Sequence, residues 1–176
     1  MALNTLKDLL IHELRDLYSA ETQLLDALPK MVEAASHEDL KEAFRNHLHE
    51  TQNQKKRLTQ VFSILKQPAD SKRCLAMEGL IKEAQDLIAE PADISVKDAA
   101  LIAAAQRVEH YEMAGYGTAV AYADLLDYEE IEDLLKETLD EEGNANKTLN
   151  KIATGGLFSS GLNKEASIPQ RATRMS

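Results

Sequence analysis

Tryptophan is absent from this 176-residue chain, and Cys74 is its single cysteine. One thiol excludes an intrachain disulfide and fits a reducing compartment, while pairing between chains stays open. Glycine (7) and proline (4) are scarce. A sheet protein with many hairpins draws on both, so their scarcity points to an all-α fold. No apolar run approaches the roughly 20 residues needed to cross a bilayer. The stretch from Met1 to Asp8 lacks a signal-peptide layout, so a cytoplasmic protein with no membrane partner is expected. Basic charge is also short. Twenty Lys and Arg against 30 Asp and Glu leave a net charge of −10, which excludes the basic face that nucleic acid requires. No Ser-His-Asp arrangement, phosphate loop or zinc-finger spacing is present. The 44% of apolar residues is enough for one domain with a real core.

Apolar spacing then sets the helices. Leu6, Leu10, Leu14, Leu17, Leu24, Leu28 and Met31 recur by threes and fours behind Asn4 and Thr5, both good N-caps. Pro29 predicts a kink or a restart. A second helix opens at Ser36 and carries Leu40, Phe44, Leu58, Val61 and Leu65. A shorter amphipathic segment covers about 74–89, inside a long connection. A third long helix follows Pro91, with Ser95 as its cap and Asp98 as the capping-box acid. It carries Leu101, Ala105, Val108, Ala119, Tyr122 and Leu126. The fourth begins near Tyr128 and carries Ile131, Leu135, Leu149 and Ile152. From Gly155 the composition turns to Gly, Ser, Asn and Pro, so 1–154 reads as the domain and 155–176 as a flexible tail. Four long helices, two short turns and one long crossover describe a ferritin-like antiparallel bundle with a short extra helix in the crossover.

The chain also repeats itself. Glu21 and Glu112, Glu50 and Glu141, Asn53 and Asn144, Lys56 and Lys147, and Leu58 and Leu149 are each 91 residues apart. The two halves read as copies of one helical hairpin, although any two amphipathic hairpins of equal length match in part. Glu21, Glu50, Glu112 and Glu141 fall near mid-length on the core side of their helices. Buried carboxylates that repel one another need positive charge. Two divalent cations supply it, and oxygen-rich ligands with some nitrogen suit Fe or Mn. The competing reading places these glutamates at helix edges, reaching water or paired with Lys and Arg.

The stretches Tyr18–Leu24, His47-Leu48-His49-Glu50-Thr51, Cys74 through Leu80, Asp98 through Gln106, Val108–Glu112 and Lys136–Glu142 resemble the YciF family of ferritin-like stress proteins over about 3–153. The resemblance implies a ferritin-like bundle, a homodimer and a metal centre. Glu109-His110-Tyr111-Glu112 is similar to a Glu-His-Tyr-Glu run of rubrerythrin, whose two glutamates serve a di-iron site. It adds Glu109 to the candidates. One departure stands out. Ferritin-like sites use Glu-x-x-His on the second and fourth helices, and here Glu50 and Glu141 are followed by Asn53 and Asn144. The site is then carboxylate-rich, weaker or vestigial. His47, three residues before Glu50, is the remaining source of nitrogen.

The candidate metal ligands are therefore Glu21, Glu50, Glu109, Glu112, Glu141 and His47. Gln54, Tyr18, Tyr111 and His110 are candidates to hydrogen-bond them. His12, His37 and His49 are expected at the surface, and Cys74 as a small buried hydrophobe. The functional expectation is a metal-binding stress protein with oxidative or peroxide-related chemistry. The alternative is a non-catalytic dimeric stress protein acting through protein contacts, its metal site vestigial.

Overall fold

Thr5 starts the first helix. Its Oγ1 accepts the Asp8 backbone N–H at 3.1 Å, while the Asp8 carboxylate accepts the Thr5 N–H at 3.0 Å. This reciprocal capping box satisfies donors that a helix start otherwise leaves open. A computed structural model describes residues 3–155 and 160–168. Helix α1 spans Leu6–Ala34 and runs through Pro29 without restarting. Then come α2 (Glu38–Ile64), α3 (Leu75–Ala89), α4 (Ile94–Leu125), α5 (Glu129–Thr154) and α6 (Leu162–Ala166). No strand occurs among the described residues.

The four long helices pack in a ring: α1 touches α2 and α4, and α5 touches α2 and α4. Short turns make α1–α2 and α4–α5 antiparallel, and the long crossover from α2 to α4 contains α3. This is the ferritin-like arrangement. No helix among the described residues is long and apolar enough to cross a membrane.

Two helix starts differ from expectation. His37, not Ser36, caps α2. Asp93, not Ser95, caps α4, accepting the Ser95 N–H at 3.0 Å. Asp98, released from that role, is buried and reaches across the bundle. Its carboxylate accepts the Ser36 N–H at 2.8 Å and the His37 N–H at 2.9 Å. An acid at a helix N-terminus is favourable both as acceptor and as charge, so Asp98 fastens the start of α2 to α4. Asp98→Ala should cost about 2–3 kcal/mol in urea unfolding, because it strands donors held by a charged acceptor. A loss under about 0.5 kcal/mol, ordinary for a surface change, would refute this.

Apolar clusters fill both ends of the bundle. Leu10, Leu14, Leu58, Val61, Tyr116 and Leu135 pack at one end. Met31, Leu40, Phe44, Leu101, Leu149 and Leu162 pack at the other. Between them a third apolar cluster, with Leu24, Leu28, Met77 and Val108, lies under α3, and polar side chains fill the rest of the middle. There α1 and α4 approach closely, since a Cβ on Gly115 would lie 2.8 Å from Leu17 Cδ2.

The reading of 155–176 as a flexible tail is corrected for 160–168. Gly161, at φ 68°, turns the chain back so tightly that a Cβ there would lie 2.3 Å from the Gly155 nitrogen. Helix α6 then docks, burying Leu162 in the apolar cluster beside Met31 and Leu101. Residues 156–159 and 169–176, also assigned to that tail, lie outside the described residues.

Candidate metal centre

At mid-bundle, α2 contributes His47, α4 contributes Glu109 and Glu112, and α5 contributes Glu142. One ligand atom from each lies within 4.8 Å of the others, and all four residues are buried. Glu21 of α1 is fully buried with them. Hydrogen bonding leaves these groups largely unsatisfied among the described residues. Both oxygens of Glu112, one each of Glu21, Glu109 and Glu142, and both ring nitrogens of His47 have no hydrogen-bond partner. Buried polar atoms are ordinarily paired, so a convergent group of orphans with ligand chemistry fits a cation.

The electrostatics agree. Burial pushes the Glu21 carboxyl up to about 7, against the hydrogen bond donated by Tyr116 Oη. Burial, then repulsion from Glu21 and Glu109, pushes Glu112 well above the usual carboxylate range. Burial, then Glu112 and Glu109, does the same to Glu142. For His47, burial opposes the charge. The carboxylates of Glu109, Glu50 and Glu21 outweigh it and hold the ring at about 9. His47 Nε2 is 3.5 Å from Glu109 and 4.0 Å from Glu142. The metal-free pocket thus holds protons that a cation would displace.

The expected convergence of Glu21, Glu50, Glu112 and Glu141 holds only for Glu21 and Glu112. Glu50 is 39% exposed at the margin, 3.7 Å from His47 Nδ1. Glu141 pairs with a cation: Arg57 Nη1 and Nη2 each reach one of its oxygens at 3.0 Å. Glu142 takes the inward place. The inward register is Thr51 and Gln54 on α2, both fully buried, and Glu142 on α5. It lies one residue beyond the Glu50 and Glu141 register that the repeat suggested. Thr51 is also the residue 91 before Glu142. The signal was in the stripe itself, since Ile131, Leu135, Thr138, Glu142 and Leu149 keep helical spacing. Asn53 and Asn144 do not face the cluster; each accepts from the lysine three residues on, Lys56 at 3.2 Å and Lys147 at 3.4 Å.

Among the other candidates, Gln54 is at the site. Its Nε2 donates to Glu142 at 2.5 Å and to Glu141 at 3.1 Å. Arg57, which also donates to Glu137 and Thr138, therefore holds Glu141, Glu141 and Gln54 hold each other, and Gln54 orients Glu142. Tyr111 turns away, donating to Asp16, with its oxygen 2.9 Å from Cys74 Sγ. Tyr18 meets Phe62 edge-on. His110 is exposed, with Nδ1 2.7 Å from the Gln106 carbonyl. Tyr116, not singled out in the sequence, is the tyrosine in contact with the buried carboxylates.

A cleft of about 150 Å³ between α2 and α5 ends on His47, Glu50 and Glu109, with the polar Asn46, Asn144 and Thr148 beside the apolar Phe44, Ala145 and Leu149 in its walls. It links the cluster to solvent.

Fold and site together define a ferritin-like bundle with a buried histidine–carboxylate cluster able to hold a metal ion. A family model described as a domain of unknown function, DUF892, matches residues 5–166. Protein YciF of Escherichia coli K12 is 46% identical over 167 residues, 93% of this chain and 99% of that protein. The chain therefore belongs to the DUF892 family, and the resemblance to YciF holds across it. The solved structure of YcfI from Rhodopseudomonas palustris superposes with a TM-score of 0.83 at 48% identity, covering 88% of this chain and 97% of that one. The E. coli stress protein YciF gives 0.82 at 47% identity, covering 84% and 94%. A Xanthomonas campestris protein at 19% identity, with a TM-score of 0.69 over 84% and 90%, bears on the fold alone.

Proposed function

We propose that this is a metal-binding stress protein with a carboxylate-rich di-metal centre for Fe or Mn. The observation that carries the reading is the set of unpartnered, fully buried oxygens on Glu21, Glu112 and Glu142 around an unpartnered His47. Charge supports two ions. Glu21, Glu109, Glu112 and Glu142 carry four negative charges when ionised, which two divalent cations balance with His47 neutral. A single ion leaves buried charge or retained protons. One nitrogen among carboxylate oxygens suits Fe(II) or Mn(II) better than a thiolate-preferring metal.

His47, Glu109, Glu112 and Glu142 would hold the metal, and Glu21 would offer the oxygen that Tyr116 leaves free. Gln54 fixes Glu142, and Glu50 stands at the cleft where a hydrated ion arrives. Bound Fe or Mn would supply one-electron chemistry toward dioxygen or peroxide. The side chains around it would exclude bulk water, and the protons that leave His47 and the glutamates would pass to solvent. The stress role rests on likeness to the E. coli stress protein YciF.

Elemental analysis of protein purified without chelators, then anaerobic Fe(II) titration, tests this. Two ions per chain and proton release on binding are expected. No binding would sink the metal reading and leave the non-catalytic alternative, in which the protein acts through contacts with other proteins.

A further inference from the structure

Helix α3 lies across α1 and α4, and beneath it is a second opening onto the cluster. This cavity offers about 30 Å³ to the centres of water-sized molecules. Leu24 and Leu28 of α1, Ala105 and Val108 of α4, and Ile81 and Ala84 of α3 form most of its walls; Lys30, Gln85, His47 and Glu109 also line it, but their polar atoms make up almost none of its surface. His47 and Glu109 also end the cleft on the other side. The cluster edge is thus reached by one partly polar route and one apolar route.

The walls decide what the apolar route can take. A buried water needs two to four polar partners, and alanine, leucine, isoleucine and valine side chains provide none. Metal ions and peroxide would lose hydration there without compensation, so they suit the cleft. A single water needs roughly 10–15 Å³, so the cavity has room for a diatomic molecule. Helix α3 is shaped for this. Ile81, Ala84 and Ile88 recur at helical spacing on its inner side, and the small Ala84 leaves space where a larger residue would fill it.

We propose that the cavity under α3 binds a small uncharged gas, dioxygen, against the His47–Glu109 edge. What dioxygen would do there rests on the metal reading; its binding does not. The test therefore uses metal-free protein. Dioxygen is paramagnetic, so under dioxygen pressure it relaxes the methyl protons it touches. The methyls of Leu24, Leu28 and Val108 should relax several-fold faster than those of Ile131 and Leu135, which are also buried but lie elsewhere in the bundle. Ala84→Phe should abolish the difference by filling the cavity. Ile81→Ala should increase it by enlarging the space, which keeps the test decisive if the bulky variant misfolds. Equal relaxation at both sets of methyls in the wild-type protein would overturn the proposal. Enhanced relaxation in a protein that takes up no Fe(II) would sink the metal reading and leave the gas site standing.

Discussion

Glu112→Gln should lower affinity for Fe(II) or Mn(II) by more than about a hundredfold, yet stabilise the metal-free protein at neutral pH. Replacing residues that merely orient ligands costs up to about a hundredfold in metal affinity, and Glu112 offers two free oxygens of its own. The stability gain has a separate cause. Burial and neighbouring carboxylates push Glu112 well above its ordinary 4.5, so at pH 7 folding must supply it with a proton or bury its charge. Supplying that proton costs on the order of 3 kcal/mol, and glutamine, close in shape to the protonated acid, needs none. Glu50→Gln, at the exposed margin, should change both quantities far less. Calorimetric titration and urea unfolding at pH 7 check the pair. Wild-type affinity in Glu112→Gln would remove Glu112 from the metal site.

The metal-free protein should become less stable as pH rises from about 5 to 9. Glu21 goes from 4.5 in the unfolded chain to about 7 when folded. Its contribution is complete below 4.5 and is lost as pH rises through 7. His47 goes from 6.5 to about 9; its contribution is complete below 6.5 and is lost as pH rises through 9. Glu112 and Glu142, also raised, act in the same direction. In each case the folded state holds more protons than the unfolded one across the window, so stability falls with pH. Glu21 and His47 are each worth on the order of 3 kcal/mol, and a chain of this size moves about 2–4 °C in Tm per kcal/mol. Bound metal reverses the trend, because it favours the deprotonated groups and competes with protons. Thermal unfolding in chelator at pH 5, 7 and 9, repeated with Mn(II), measures both slopes. A chelated protein whose Tm is flat or rises over this range would contradict the buried-cluster account.

Much of this follows from local pattern. Leucines at three- and four-residue spacing and few breakers define long amphipathic helices, because burial of one face is what such a pattern can do. Thr5 and Asp8 are neighbours in sequence, so their capping box is legible there. Placing Glu21, Glu112 and His47 inward needs only the phase of each stripe, while Glu109 entered through the resemblance to rubrerythrin. Where partners come from other helices, the linear pattern is silent. One residue turns a helix by about 100°, so choosing between Glu141 and Glu142 depends on how α5 is rotated against α2. Arg57 and Gln54, which are far from α5 in sequence, settle that rotation by taking Glu141 at the edge and leaving Glu142 inside. The local pattern around Asp98 points to its own helix for the same reason, although its carboxylate serves α2. Tyr116 gained its role only when Glu21 packed against it. The kinds of group in the site are thus written along the helices, while which copy of each enters it is set by contacts between helices far apart in the chain.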